Sequence, residues 1–276
     1  MWRACTAVGL LVVMSMPSRP AAEQKLTAEQ LVTLHLQALT AGSTPREQTR
    51  DVKGAVGVTM PAKAAGQLPG TFQLSSSAAG SRFTMKFDSD LYEGEAFTAT
   101  GNKVDIANAQ PRTGSRSAIG NFVARYGVII SEGLLGGALN TRWPLLDVAG
   151  RQAKLGYDGI KTLAGRELHR LRYRAKNSQG ALEVHLYFDP KTYRHVASVY
   201  STSQAQGLGA TMESSSQEAD LHFQIEERFG RFEEVGGLTL PKSWSLRYER
   251  SGNTANEWKY DMTVQTVEVA EPQVPR

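Results

Sequence analysis

Apolar positions change period twice along this chain. Thr27-Ala28-Glu29-Gln30 matches a helix capping box, Leu31, Leu34, Ala38 and Leu39 then recur at helical spacing, and Gly42 ends the run. One amphipathic helix is predicted there. From Val52 the period becomes two: Val52, Val56, Val58 and Met60 alternate with small or polar residues, followed by Phe72/Leu74, Phe83/Met85/Phe87 and Val104/Ile106. These read as half-buried strands, with turn signals at Pro61 to Gly70, Ala79-Gly80, Asp88 to Asp90 and Gly101-Asn102.

The alternation breaks between Ser115 and Leu139. Ile119, Phe122, Val123, Tyr126 and Ile130 share one helical face, and Gly133-Leu134-Leu135-Gly136-Gly137 follows as a flexible apolar tail. A helical insert with a mobile loop is expected. Alternation resumes with His169/Leu171/Tyr173, Leu182/Val184/Leu186/Phe188 and Tyr193 to Tyr200, the last two joined by the turn Asp189-Pro190-Lys191-Thr192. Ser201 to Ser216 has no apolar period and reads as a mobile loop. Beyond it, Ala219/Leu221/Phe223/Ile225, Trp244/Leu246/Tyr248 and Trp258/Tyr260/Met262 give further strands around the Gly236-Gly237 turn.

No strand-helix-strand alternation appears, so the expected fold class is mainly β with helices: a strongly curved antiparallel sheet of about ten or eleven strands. So long a meander must curl into an unclosed barrel to shelter its apolar face, here covered by the first helix and the insert. The domain division is a secretory signal at 1–22 and a single domain at 23–276. Arg3, the apolar run from Ala4 to Met16 and the small residues after Pro17 carry the signal reading. That run is shorter than the roughly 20 apolar residues of a membrane span, so the mature chain is expected to be exported and not transmembrane.

Cys5 is the only cysteine and lies at the start of the apolar run rather than at its end, which leaves the mature domain without disulfide, thiolate or cysteine-metal chemistry. Loss of Arg3 and Arg19 with the signal lowers the formal charge from +4 to about +2, too balanced for a nucleic-acid partner. No phosphate-cradling glycine loop, metalloprotease helix or nucleophile elbow is present, so no catalytic residue, cofactor or metal is expected. Among the histidines, His169 shares a face with Leu171 and Tyr173 whereas His185 opposes Leu182 and Leu186, which argues against a shared metal. Arg170, Arg172 and Arg174 form a basic stripe that either binds headgroups or is neutralised by neighbours such as Glu183. The adjacent pairs Glu226-Glu227 and Glu233-Glu234 read as solubilising charge. Met60, Phe83, Met85, Phe87, Trp244 and Met262 fall on inward faces and line either a packed core or an apolar cavity. Ile119, Phe122, Val123, Tyr126, Ile130, Leu134 and Leu135 would then form a flap over it.

Three segments carry a resemblance to a known family: the opening helix Leu26-Thr27-Ala28-Glu29-Gln30-Leu31-Val32, the turn Leu186-Tyr187-Phe188-Asp189-Pro190-Lys191-Thr192, and Phe232 to Pro241 with its aromatic-x-x-V-x-G-x-x-L-P form. In these the chain resembles the bacterial lipoprotein-localisation superfamily of LolA and LolB. The resemblance implies an unclosed β-barrel whose concave face holds acyl chains, and a periplasmic or secreted, non-enzymatic protein that binds lipid or an acylated lipoprotein. The alternative is an envelope protein-interaction or sensor module with a packed, ligand-free core, whose edges or loops contact a protein partner.

Overall fold

The computed structural model describes residues 26–40, 49–60, 66–108, 116–178, 180–204, 221–250 and 256–270. The expected signal, the first residue of the expected insert and most of the 201–216 loop lie outside the described residues. Helix α1 (Ala28–Thr40) starts as its sequence predicts, with Gln30 N–H donating to Thr27 Oγ1 at 3.2 Å and Thr27 N–H to Gln30 Oε1 at 2.9 Å. Its inner stripe, Leu31, Val32, His35 and Leu39, is buried.

The strands are β1 (Thr49–Thr59), β2 (Leu68–Ser77), β3 (Gly80–Phe87), β4 (Glu95–Thr100), β5 (Lys103–Asn108), β6 (Lys154–Leu163), β7 (Arg166–Arg174), β8 (Glu183–Phe188), β9 (His195–Gln204), β10 (Leu221–Val235), β11 (Leu238–Arg250) and β12 (Asn256–Ala270). They form one antiparallel sheet of twelve strands in the order β5-β4-β3-β2-β1-β12-β11-β10-β9-β8-β7-β6. The first and last strands therefore meet in its middle, and β5 and β6 are the two unpaired edges. The sheet is an unclosed barrel, as expected, with β4 and β6 added to the strands that alternation reveals. β4 is buried on both faces at Glu95, Ala96 and Phe97, and β6 is half-buried from Leu155 to Gly159 and exposed from Ile160 to Thr162, so neither shows a period of two.

The chain crosses from one edge to the other through helices α2 (Ala118–Arg125), α3 (Val128–Ser131) and α4 (Val148–Arg151), with 3-10 turns at Gly137–Leu139 and Pro144–Asp147. Together with α1 this insert packs against the inner row of the sheet. Ile119, Val123, Ile129, Leu134, Leu139 and Trp143 are each at most 1% exposed, in one core with Leu74, Phe83, Met85, Trp244 and Tyr260. The insert is longer than 115–139, because Trp143 and Leu145, 0% and 1% exposed, continue the core beyond the apolar tail.

The glycines expected to loosen this segment serve another purpose. Gly133, Gly136 and Gly137 have φ of 73°, 83° and 51°, a region open to glycine at little cost. A Cβ at Gly137 would stand 2.8 Å from His195 Nδ1, and one at Gly133 would stand 2.5 Å from the Arg142 carbonyl oxygen. They permit close approach of the insert to the sheet. On the outer face, Asp158 of the bulged β6 accepts from Arg170 Nε at 3.1 Å and Arg172 Nη2 at 3.0 Å. Arg170 and Arg172 of the basic stripe thus share Asp158 rather than Glu183.

Candidate functional site

Two buried carboxylates fasten the insert to the sheet. Glu95 of β4, 1% exposed, accepts from Ser117 N–H at 2.8 Å, from the Ser117 hydroxyl and from Tyr92 Oη at 3.2 Å. Ser117 in turn caps α2, accepting from Gly120 N–H at 3.0 Å. Burial raises the Glu95 carboxyl above the usual range, and the Ser117 hydroxyl and amide oppose the rise. Ser117→Ala is expected to cost about 1–2 kcal/mol in urea denaturation, since it removes both the cap and a donor to a buried acid.

Glu227 of β10 stands at the centre of the concave face and is 0% exposed. Its Oε1 accepts from Gly136 N–H and Trp244 Nε1, both at 2.9 Å, and its Oε2 lies 2.5 Å from Tyr200 Oη, which also donates to the Leu134 carbonyl at 3.2 Å. Burial pushes this carboxyl up to about 7. The reading of Glu226-Glu227 as solubilising charge is therefore corrected: Glu226 is 6% exposed, and strand parity turns Glu227 into the core beside Trp244 and Leu246. Glu233 and Glu234 are exposed, as expected.

A second polar seam joins α1, the insert and β9. Trp143 Nε1 donates to His35 Nε2 at 3.1 Å, and His35 Nδ1 donates to the Tyr193 carbonyl at 3.1 Å, which fixes a neutral tautomer. Burial accordingly holds His35 down at about 4. His195, held well below its ordinary value by burial, stacks on Trp143 at 4.6 Å and lies 3.0 Å from Ser198 Oγ. His169 meets Tyr157 Oη at 2.8 Å and stacks on Tyr193, apart from His185 beside Asp158. No cluster of metal-ligating side chains occurs among the described residues.

Met60, Phe83, Met85, Phe87, Trp244, Met262 and the insert residues Ile119, Val123, Ile130, Leu134 and Leu135 belong to one packed core, with Met60 partly buried at its margin. Phe83 and Trp244 rings touch at 4.8 Å and Phe83 stacks on Phe97 at 5.8 Å. The remaining two expected site residues, Phe122 and Tyr126, belong to the same core at 6% and 9% exposed and also border open space. They form one wall of a cleft of about 290 Å³ between α2 and the ends of β9 to β12, with Thr202, Phe223, Tyr248, Arg250 and Trp258 opposite.

The register builds this second wall: Thr202 pairs with Phe223 and Phe223 with Arg250, while Tyr248 pairs with Trp258, so the side chains stand in adjacent rows on the inner face. Tyr126 Oη donates to Thr202 Oγ1 at 3.0 Å and closes the inner end. Arg250 lies over Phe223 at 5.7 Å and Arg125 over Tyr126 at 5.8 Å, each resting its stem on an aromatic face. Arg250 Nε is enclosed without a hydrogen-bond partner among the described residues. Phe223, Tyr248, Trp258 and Arg250 escape a reading by alternation, because each looks like an ordinary strand residue until the register sets them side by side.

No protein-family model matches the chain, and no curated protein does. Among solved structures, it is similar to a LolA superfamily protein from Nitrosomonas europaea at 13% identity and a TM-score of 0.47, with 91% of this chain and 96% of the other covered. It is also similar to a DUF1329 family protein from Desulfovibrio piger at 7% identity and a TM-score of 0.44, with 90% and 95% covered.

Proposed function

We propose that this protein is a non-enzymatic binding protein of the bacterial envelope, exported to the periplasm or beyond. Its ligand is an acyl chain with an anionic headgroup, supplied by a lipid or an acylated lipoprotein. The α2 cleft carries the reading: aromatic rings make an apolar floor, and the enclosed Arg250 Nε–H is a donor with no acceptor among the described residues. A buried donor without a partner costs free energy that a carboxylate or phosphate oxygen recovers.

The cleft's 290 Å³ lies at the small end of ligand pockets, roughly 300–1,000 Å³, so it holds the headgroup end of a chain. A longer chain continues only by lifting α2 and the residues after it. Each Phe or Ile uncovered costs roughly 1.5–3 kcal/mol, and each acyl CH₂ buried returns about 0.8 kcal/mol, so the exchange is close to balanced.

The test is titration of the mature protein with a brominated fatty acid while tryptophan fluorescence is followed. Quenching is expected, largely abolished in Trp258→Phe and shifted about tenfold to weaker binding in Arg250→Ala. Amides from 116 to 139 should change hydrogen-exchange protection on binding. If fatty acid, phospholipid and lipopeptide all leave fluorescence and exchange unchanged, the binding reading fails. The packed interior under the insert, with Trp143, Trp244 and Leu134 at most 1% exposed, favours in that case an envelope interaction module that takes no ligand. Cross-linking in the envelope would then recover a protein partner.

A further inference from the structure

The α2 cleft leaves the opposite face of the sheet unexplained. There, a groove of about 420 Å³ runs between the β6–β7 hairpin and strands β9 to β12. Ala164 and Gly165 turn that hairpin with φ of 48° and 77°, the two positive values of a tight two-residue connection. The turn sets Leu163, Arg166 and Leu168 along one side. Leu168, Val196 and Ala197 belong to a small apolar cluster separate from the main core. Gly230 keeps the middle open, because a Cβ there would stand 2.9 Å from Ser243 Oγ.

Three guanidiniums surround this apolar floor: Arg166, Arg228 and Arg231. Arg166 shares Asp189 at 3.3 Å with its side chain 59% exposed, and Arg228 is paired with Glu226, so each uses one carboxylate and retains further N–H groups. Arg231 is exposed and has no ion-pair partner among the described residues. It also holds φ of 51° inside strand β10, a strained setting for a side-chain-bearing residue of the kind that gathers at binding sites. Asp261, the carboxylate on the rim, is engaged by Lys259 at 3.0 Å and Gln67 at 3.2 Å.

We propose that this outer groove is an anion site for a phosphomonoester, its phosphate held by Arg166, Arg228 and Arg231 and its organic part lying on Leu163, Leu168 and Val196. A phosphomonoester offers three acceptor oxygens, one for each guanidinium fork, where a carboxylate offers two. The Ser243, Ser245 and Thr263 hydroxyls line the same groove and supply further donors. The site is independent of the α2 cleft, which lies on the inner face and uses none of these residues.

Phenyl phosphate, titrated calorimetrically into the mature protein at low salt, tests the assignment. Expected results are saturable binding that weakens with added salt, a dissociation constant raised at least fivefold in Arg231→Ala and in Arg228→Ala, and no change in Arg174→Ala. Phenylacetate should bind more weakly than phenyl phosphate. Flotation with vesicles of phosphatidic acid in phosphatidylcholine separates the sources: retention that depends on Arg231 assigns a lipid headgroup, and phenyl phosphate binding without retention assigns a soluble phosphomonoester. Absence of phenyl phosphate binding at millimolar concentration, or equal binding in Arg231→Ala and Arg228→Ala, overturns the proposal whatever happens at the α2 cleft.

Discussion

Glu227→Gln is expected to stabilise the fold, by about 1 kcal/mol at pH 5 and by about 3–4 kcal/mol at pH 8. An unfolded glutamate titrates near its ordinary ~4.3, whereas the folded carboxyl titrates at about 7. Between those values the native state holds a proton that the unfolded state has lost, so stability falls as pH rises, at about 1.4 kcal/mol per pH unit. Above pH 7 the loss is complete. Glutamine presents the hydrogen-bonding pattern of the protonated acid at every pH. Its oxygen accepts from Gly136 and Trp244, and its amide donates to Tyr200, whose own hydroxyl proton goes to Leu134. Burial drives His35 the other way, down to about 4, so its contribution is lost as pH falls from 6.5 toward 4. His195, also held well below its ordinary value by burial, adds a slope of the same sign as His35, so Glu227 offsets only part of the rise in stability with pH in mild acid. Denaturant unfolding at pH 4.5 to 8 checks this: the variant should gain stability with pH in mild acid more steeply than the wild type. A Glu227→Gln profile parallel to the wild type would refute a protonated Glu227.

Trp143→Ala should be the most damaging single substitution in the insert, at about 3–5 kcal/mol. The indole is 0% exposed, stacks on His195 and gives its N–H to His35, so truncation opens a large cavity and leaves a buried imidazole nitrogen without its donor. Against a total stability of 5–15 kcal/mol, this removes a large fraction. Trp143→Phe keeps much of the volume and should cost clearly less. Urea midpoints for the pair measure the effect. A Trp143→Ala cost below 1 kcal/mol would mean that the insert rests on the sheet rather than forming part of its core.

Strand alternation was a faithful guide wherever one face meets the core and the other meets solvent. Phe83/Met85/Phe87 and Trp244/Leu246/Tyr248 are inward as read, each at most 7% exposed. It failed at β4, where the insert and the sheet bury successive residues, and at β6, an edge strand interrupted by a bulge between Tyr157 and Ile160. The helical face of α2 was legible because Ile119, Phe122, Val123 and Tyr126 keep helical spacing, whereas the turns after it depend on glycine conformation and tertiary contact. Glu227 was misread because an acid beside another acid looks like surface, and only its strand parity marks it as internal. The candidate cleft was legible on one wall alone. Phe122 and Tyr126 share a helix face, but Phe223, Tyr248, Trp258 and Arg250 come together through pairing across three strands, which no local pattern encodes.

The meeting of β1 and β12 in the middle of the sheet concentrates its long-range topology in one seam. Every other neighbouring pair of strands is consecutive in the chain, whereas Thr49 lies opposite Ala270, 221 residues away. Loop-closure entropy grows with the logarithm of such a separation, and non-local pairing slows folding. The two half-sheets, β1 to β5 and β6 to β12, can each zip from hairpin to hairpin, while the seam between Thr49–Thr59 and Asn256–Ala270 carries the entropic burden of bringing the chain's two ends together. A circular permutation joining those ends would keep the strand order unchanged and turn this one costly closure into a local one.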